Sequence, residues 1–263
     1  MSNAYQTPES NLVNENTSTG SYGSVEKAVQ GDYDFSIGSV LSEAWAKTNG
    51  CKGVFNLSFF YYFLVVIVLM MGIGMVTAVL FSAGDMGATP DQIGAGQMPA
   101  GMMIMQFAIQ FGVNLIVLPM VMGLMMIGIK RSVDAPISAG MIFKYFSKMI
   151  PLFITMLMVY IMVVIGLLLL VLPGIYLMIA YYMAMPLVVE KGMSPWQAME
   201  TSRKAITHRW FSVLGLFIVM AIIVSISVIP LGIGLIWTVP MMMMAFAILY
   251  RNMFGVEAET ISE

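Results

Sequence analysis

The chain has 263 residues, of which 59% are hydrophobic and only 10% are charged. Because a soluble domain carries about 25% charged residues, this composition excludes an ordinary water-soluble globular protein. The single cysteine, Cys51, excludes an internal disulfide and a multi-thiolate metal site, and the single histidine, His208, excludes a histidine-rich one. The net charge of −2 is small, so the positions of the charges are more informative than their sum.

The first 34 residues are polar and rich in Ser, Asn, Glu and Gly. This composition predicts a disordered tail over residues 1–34 and shows no hydrophobic segment typical of a cleavable signal peptide. We therefore expect the first hydrophobic helix to act as an uncleaved membrane signal. The remaining chain is predicted to form a six-helix transmembrane domain over residues 35–255 and a C-terminal tail over residues 256–263.

Four uncharged runs follow the polar tail. A transmembrane helix needs about 20 apolar residues to cross a hydrocarbon core of about 30 Å. The runs Val54–Ala83 and Met102–Ile129 each predict one span, with a Gly/Pro-rich loop over Ser82–Gly101 between them. The runs Pro151–Val189 and Trp210–Tyr250 are too long for one span, since the 39 residues of the first would form a helix about 58 Å long.

Each of the two longer runs contains a turn motif near its middle. These motifs are Leu172–Gly174 and Pro230–Gly232, and both combine proline with glycine, the two strongest turn signals. Dividing both runs there gives six spans arranged as three hairpins. The sequence therefore predicts an all-α, polytopic membrane protein.

All twelve Lys and Arg residues fall on one side of these six predicted spans. Because basic residues concentrate in cytoplasmic loops, this distribution predicts that both termini are cytoplasmic. The opposite loops carry only Asp85 and Asp91 as charged residues. The twelve basic residues are Lys27, Lys47, Lys52, Lys130, Arg131, Lys144, Lys148, Lys191, Arg203, Lys204, Arg209 and Arg251.

A short amphipathic segment that starts with a serine precedes each predicted hairpin. After Ser36, apolar residues follow an i, i+3, i+4, i+7, i+8 stripe that ends at Trp45. In the third copy, Ser194–Gln197 has the capping-box form, with proline at the first helical position. The middle copy, which follows Ser138, has a weaker pattern. We interpret the chain as three copies of an interfacial amphipathic helix followed by a transmembrane hairpin.

The third amphipathic segment carries two tryptophans and a basic cluster. Trp196, Met199, Ile206 and Trp210 would form its apolar face, and Trp196 and Trp210 are predicted to anchor it at the membrane interface. The basic residues have two interpretations: contact with a lipid headgroup or an acidic partner, or a topology signal beside the fifth span. The cluster consists of Arg203, Lys204, His208 and Arg209.

The last third of the chain resembles a broad group of uncharacterised bacterial integral membrane proteins. This group is related to the membrane domain fused to some glycerophosphoryl diester phosphodiesterases. The resemblance implies the fold and a bacterial inner membrane, but no catalytic residue, because the acidic metal ligands of the fused barrel have no counterpart here. The segments that carry it are Leu172–Tyr176, Pro186–Gly192, Ser194–Met199, Ser202–Lys204, Pro240 and Tyr250–Gly255.

The six predicted spans contain no ionisable side chain, which argues against an acidic proton relay and against hydrolysis at membrane depth. The sharpest polar feature is a stripe in the second span, Gln106, Gln110 and Asn114, at positions i, i+4 and i+8 of one helix face. These three carboxamides would either line a polar path or form hydrogen bonds that hold neighbouring helices together. We expect this face to turn into the bundle, with the opposite side, near Ile104, more exposed to lipid.

Methionine is unusually abundant, with 29 residues. A cluster of Met98, Met102, Met103 and Met105 would suit Cu(I), since thioethers are soft ligands. The alternative is that methionine serves as a flexible apolar filler in place of leucine. Because methionine also runs through other apolar stretches such as Met241–Met244, the second interpretation is favoured, and neither a metal nor a cofactor is predicted.

These observations predict a non-enzymatic scaffold or accessory factor in the bacterial inner membrane. It would act on membrane lipids, on other membrane proteins or on further copies of itself, and not on nucleic acid. The alternative is a transporter or channel for a small neutral or lipidic solute, with Gln106, Gln110 and Asn114 along its path. A continuous cavity lined by these amides would favour transport, and a dry, close-packed centre would favour the scaffold.

Overall fold

The computed structural model describes residues 22–82 and 100–262. Within these ranges the chain is helical and contains no strand. The helices are α1 (Val25–Gln30), α2 (Ile37–Thr48), α3 (Lys52–Ser82), α4 (Ala100–Ser132), a 3₁₀ helix (Ala139–Lys148), α5 (Met149–Leu169), α6 (Val171–Ala180), α7 (Ala184–Glu190), α8 (Pro195–His208), α9 (Trp210–Val228), α10 (Leu235–Phe254) and α11 (Ala258–Ser262).

Six segments of the described chain are long and apolar enough to cross a membrane. The prediction of an all-α chain with six segments long and apolar enough to span a membrane is therefore confirmed for the described residues. The third of these segments joins the 3₁₀ helix to α5, and the fourth joins α6 to α7. The segments are Lys52–Leu80, Gly101–Ser132, Ala139–Leu169, Val171–Glu190, Trp210–Val228 and Leu235–Phe254.

The break between the third and fourth segments lies earlier than the sequence predicts. Leu170 alone interrupts the helices, with extended backbone angles of φ −162° and ψ 147°. Pro173 lies in the first turn of α6, where a missing backbone N–H removes no intrahelical hydrogen bond. The turn predicted over Leu172–Gly174 is thus wrong in position: these residues belong to the first turn of α6, and Gly174 packs closely against Leu167.

The second predicted turn coincides with the observed end of a helix. α9 ends at Val228 and α10 begins at Leu235. Leu231 and Gly232 both have positive φ angles, 54° and 77°, and only glycine adopts such angles without strain. The turn predicted at Pro230–Gly232 is therefore found where the sequence placed it.

Part of the predicted disordered tail is folded. Residues 1–21 lie outside the described ranges, but Ser24 caps α1 by accepting a hydrogen bond from the Lys27 backbone N–H at 3.3 Å. Tyr33 is buried and donates a hydrogen bond to the carbonyl oxygen of Ala205 in α8, at 2.9 Å. The prediction of disorder is therefore wrong for residues 24–34. The polar composition does not reveal that Ala28 and Tyr33 of this segment are buried, with Tyr33 bonded to α8.

Burial divides the described molecule into two halves. In α4, no residue from 101 to 117 is buried, whereas nearly every residue from Leu118 to Ser132 is. In α3, no residue from 59 to 80 is buried. We call residues 59–80, residues 101–117 and α5 the open half. The packed half comprises α1, α2, the 3₁₀ helix, α7, α8 and the second halves of α4 and α10.

Close backbone contact holds the packed half together. Gly123 of α4 lies so near the 3₁₀ helix that a Cβ atom there would overlap the backbone of Ile142. Gly128 makes a similar approach to α10 beside Ala247. Small residues at such contacts allow helix backbones to approach closely. The large side chains at its centre are fully buried, among them Met120, Met126, Ile127, Tyr250 and Phe254.

Candidate functional site

Arg251 is the most highly connected side chain of the packed half. Its guanidinium donates to both carboxylate oxygens of Glu43 in α2, at 2.7 and 2.9 Å, and to the carbonyl oxygen of Ser132 at the end of α4, at 2.6 Å. It also lies 4.4 Å from the ring centroid of Tyr22. The fork geometry of arginine suits such multiple bonds. Arg251 therefore joins three separate segments to the end of α10.

Glu190 at the end of α7 forms a second buried polar cluster. Its carboxylate accepts a hydrogen bond from the Tyr250 hydroxyl at 2.8 Å and from the backbone N–H of Glu257 at 2.7 Å. Lys191 lies 3.3 Å from the same carboxylate and 2.7 Å from that of Glu257. The Glu190 side chain is fully buried. This cluster holds the segment before α11 against the end of α7.

The predicted basic cluster is paired within the chain. Arg203 donates two hydrogen bonds to Glu200, at 2.6 and 3.0 Å, and Lys204 lies 3.5 Å from the same carboxylate. Arg209 pairs with Asp34 at 3.0 Å, and the His208 Nε2 lies 3.1 Å from the carbonyl oxygen of Val29.

These pairs still leave the cluster accessible to a partner. The Arg203 guanidinium holds the pKa of the Glu200 carboxyl below its usual range, so the pair stays intact at neutral pH. Protonation at a pH below that lowered pKa would release it. The Lys204 side chain remains 50% exposed, so it is the member of the cluster best placed for contact with a headgroup.

The predicted apolar face of α8 is partly buried in the protein and partly exposed. Ser194 caps it, accepting a hydrogen bond from the Gln197 backbone N–H at 3.4 Å. Met199 and Ile206 are buried inside the protein, whereas Trp196 is 60% exposed. Trp210 lies beside the helix and donates its indole N–H to the carbonyl oxygen of Tyr176 at 3.3 Å. Of the two predicted anchors, only Trp196 has most of its side chain available to a membrane.

The carboxamide stripe does not turn into the bundle. Gln106 and Gln110 are exposed and Asn114 is half-buried, while Ile104 on another face is 70% exposed. The expected orientation is therefore wrong for the first two amides. Asn114 donates a hydrogen bond to the backbone carbonyl of Gln110 at 2.8 Å, within its own helix. Among the described residues, the stripe makes no interhelical hydrogen bond.

Two of these amides lie in a groove instead. Gln110 and Asn114 line a cavity of about 400 Å³ between α4 and α5, together with aromatic and aliphatic side chains. Phe111 and Phe153 meet edge to face at its side, with ring centroids 5.6 Å apart. Gln106 lies outside this groove. The three carboxamides, which their spacing in the sequence groups together, therefore do not share one site in the structure.

Cys51 and the predicted methionine cluster lie far apart in the chain and differ in burial. Cys51 is buried, and burial raises the pKa of its thiol, which lowers the fraction of reactive thiolate. Its thiol donates to the Lys47 carbonyl oxygen at 3.1 Å. Met98 lies outside the described residues, and Met103 is 48% exposed on α4.

Sequence reasoning missed the polar clusters around Arg251 and Glu190. In the sequence, Arg251 is only one of the basic residues that indicate the cytoplasmic side, and no pattern singles out Glu190, because the position of a charge along the chain does not show its partner. The signal that could have found them is weak: Tyr250-Arg251-Asn252 places three polar groups at the end of an otherwise apolar helix. Ser202, which joins Ala180 to Met183 across the break between α6 and α7, gave no sequence signal.

No protein-family model, no curated protein and no solved structure matches this chain.

Proposed function

We propose that this protein is a non-enzymatic scaffold or accessory factor of the bacterial inner membrane. It would act on membrane lipids or on membrane-protein partners, including further copies of itself. The relation of Leu172–Gly255 to the membrane domain of glycerophosphoryl diester phosphodiesterases is part of this proposal. It supplies the bacterial setting and contributes no catalytic residue.

One observation carries the choice of scaffold over transporter: the polar stripe of α4 lies on the outside of the described molecule. A path for a polar solute needs polar groups around an interior opening. Gln106 and Gln110 are exposed, and the interior of the packed half is filled by apolar side chains. Within the described ranges, every buried side-chain nitrogen and oxygen has a hydrogen-bond partner, as in a closed, dry core.

The proposal includes a membrane arrangement of three hairpins, each preceded by a short interfacial helix. Ser36 caps α2 by accepting a hydrogen bond from the Ser39 backbone N–H at 3.0 Å, and Ser194 caps α8 in the same way. Ser138 precedes the 3₁₀ helix but makes no capping bond. The exposed Trp196 and Lys204 suit a helix at the headgroup boundary. The packed half would then face the cytoplasm.

Thiol labelling in intact membranes distinguishes the two functions. Single cysteines replacing Gln106, Gln110 and Asn114 should not react with a small, water-soluble thiol reagent, because the stripe would face lipid. The native Cys51 is buried, so its background reaction should be low. A cysteine at the exposed Lys204 provides the positive control in opened membranes. Reaction at all three stripe positions would overturn the scaffold proposal in favour of a transporter.

Reporter fusions test the orientation. Fusions after Lys52, Lys148, Arg209 and the C-terminus should all report the cytoplasm. A periplasmic C-terminus would require an odd number of spans and would contradict the arrangement in three hairpins.

A further inference from the structure

The groove between α4 and α5 has the size of a ligand site. It encloses about 400 Å³, within the usual range of about 300–1,000 Å³ for small-molecule pockets. Its walls are mainly apolar, and Phe107 and Phe111 are 63% and 41% exposed. No charged side chain lines it. These features favour an uncharged, largely apolar occupant.

The groove lies halfway along a membrane-crossing helix. α5 has 21 residues. Its length is therefore about 31 Å, close to the thickness of the hydrocarbon core. Lys148 precedes it and Leu170 interrupts the chain at its other end. The groove residues of α5 lie between Met156 and Ile161, near the middle of this length. An occupant would therefore enter sideways from the lipid.

Three polar side chains in the groove lack partners that would satisfy them. Asn114 uses one amide N–H on the Gln110 backbone. Within the described ranges, the side chains of Gln110 and Tyr160 make no hydrogen bond. Unpaired amides against lipid tails are costly, because no water is present to solvate them. An occupant that offers hydrogen-bonding groups at this depth would remove that cost.

We propose that the groove binds a diacylglycerol, an uncharged lipid with one hydroxyl and two ester carbonyl groups. Its carbonyl oxygens can accept from the amide of Gln110 and the hydroxyl of Tyr160, and its own hydroxyl can donate to the amide oxygen of Asn114. A bare acyl chain would leave these groups unpaired. A phospholipid headgroup would bring a charge to a depth where nothing neutralises it. The inference rests on the proposed action on lipids and names the lipid class.

Photolabelling of the full chain in phospholipid vesicles tests this assignment. A photoreactive diacylglycerol should label peptides from α4 and α5. Unlabelled diacylglycerol should compete, whereas triacylglycerol, which lacks the hydroxyl, and phosphatidylglycerol should not. The double variant Gln110→Leu/Asn114→Leu should reduce labelling about tenfold, as expected when two ordinary hydrogen bonds are lost. Gln106→Leu, in the same stripe but outside the groove, should leave labelling unchanged.

Equal competition by phosphatidylglycerol, or unchanged labelling of the folded double variant, would overturn the assignment and show an ordinary lipid contact. If the double variant does not fold, the competition profile of the unaltered chain decides the matter by itself. If the photolabelling contradicts the diacylglycerol site while water-soluble thiol reagents still do not react at the stripe positions, the scaffold proposal stands. Reaction of those reagents at all three stripe positions would overturn the scaffold proposal itself, whatever the photolabelling shows.

Discussion

The two halves of α4 have similar compositions but opposite surroundings. Residues 101–117 are apolar apart from three carboxamides, and none of them is buried. From Leu118 onward the same helix packs against the 3₁₀ helix and α10, and this part carries the only basic residues of the helix, Lys130 and Arg131. Hydrophobicity therefore does not distinguish a part of the helix that stays exposed from a part that is covered by protein. The difference lies in what the helix meets: Gly123 and Gly128 lie against other helices, whereas Gly112 has open space around it.

The largest expected effect comes from the arginine that joins three segments of the packed half. Arg251→Ala would leave Glu43 and the Ser132 carbonyl without their partner and should lower the free energy of unfolding by about 3 kcal/mol. The Glu43 side chain is 33% exposed, which keeps this loss near the lower end of the range for buried pairs. Arg203→Ala removes a more exposed pair and should lose less than about 1 kcal/mol. Denaturant unfolding in mixed micelles measures both losses, and equal losses would show that burial adds nothing to the contribution of the Arg251 pair.

Two glycines of α4 give a matched comparison between its halves. Gly123→Ala should destabilise the protein by about 2 kcal/mol, because the new methyl group meets the backbone of Ile142, which cannot rotate away. Gly112 has open space around it, so Gly112→Ala should gain up to about 1 kcal/mol from helix propensity. Thermal unfolding in detergent measures the two shifts. Shifts of the same sign would show that the halves are packed alike.

Loss of the hydroxyl of the buried tyrosine beside Glu190 should lower the free energy of unfolding, whereas loss of an exposed tyrosine hydroxyl should not. Tyr250→Phe removes a hydrogen bond to a buried carboxylate and should lose about 1.5–2 kcal/mol of unfolding free energy. Tyr160 is 66% exposed in the open half. Tyr160→Phe should therefore leave the unfolding free energy unchanged. The same denaturant titration compares the two variants, and a neutral Tyr250→Phe would show that the Glu190 cluster contributes little.

The smallest expected loss of stability comes from replacing the serines that precede two of the repeated segments. Ser36→Ala should lose about 1 kcal/mol, the usual loss of a helix N-cap. Ser138 makes no capping bond, so Ser138→Ala should change stability much less. The measurement is again unfolding in mixed micelles. Equal losses would imply that the middle segment is capped as the other two are.

The sequence predicts the spans well because length and the absence of charge are local properties. The six segments, the turn at Pro230–Gly232 and the caps at Ser36 and Ser194 all follow from residues close together in the chain. The break at Leu170 was misplaced because proline both ends helices and begins them. The partners of Arg251 and Glu190 were missed because they lie 60 or more residues away in the chain. The outward position of Gln110 could not be read from α4 alone, since it depends on how α5 packs beside it.

Spin labels along α4 test the division between the open half and the packed half. Nitroxides at Ile104, Phe107 and Phe111, in reconstituted vesicles, should collide freely with oxygen and hardly at all with a water-soluble nickel complex, as lipid-facing sites do. Labels at Val121 and Arg131, in the packed half, should be less mobile and less accessible to oxygen. The change of surroundings should occur near Leu118. High nickel accessibility at the first three sites would reveal water along the open half and would contradict a lipid-facing open half.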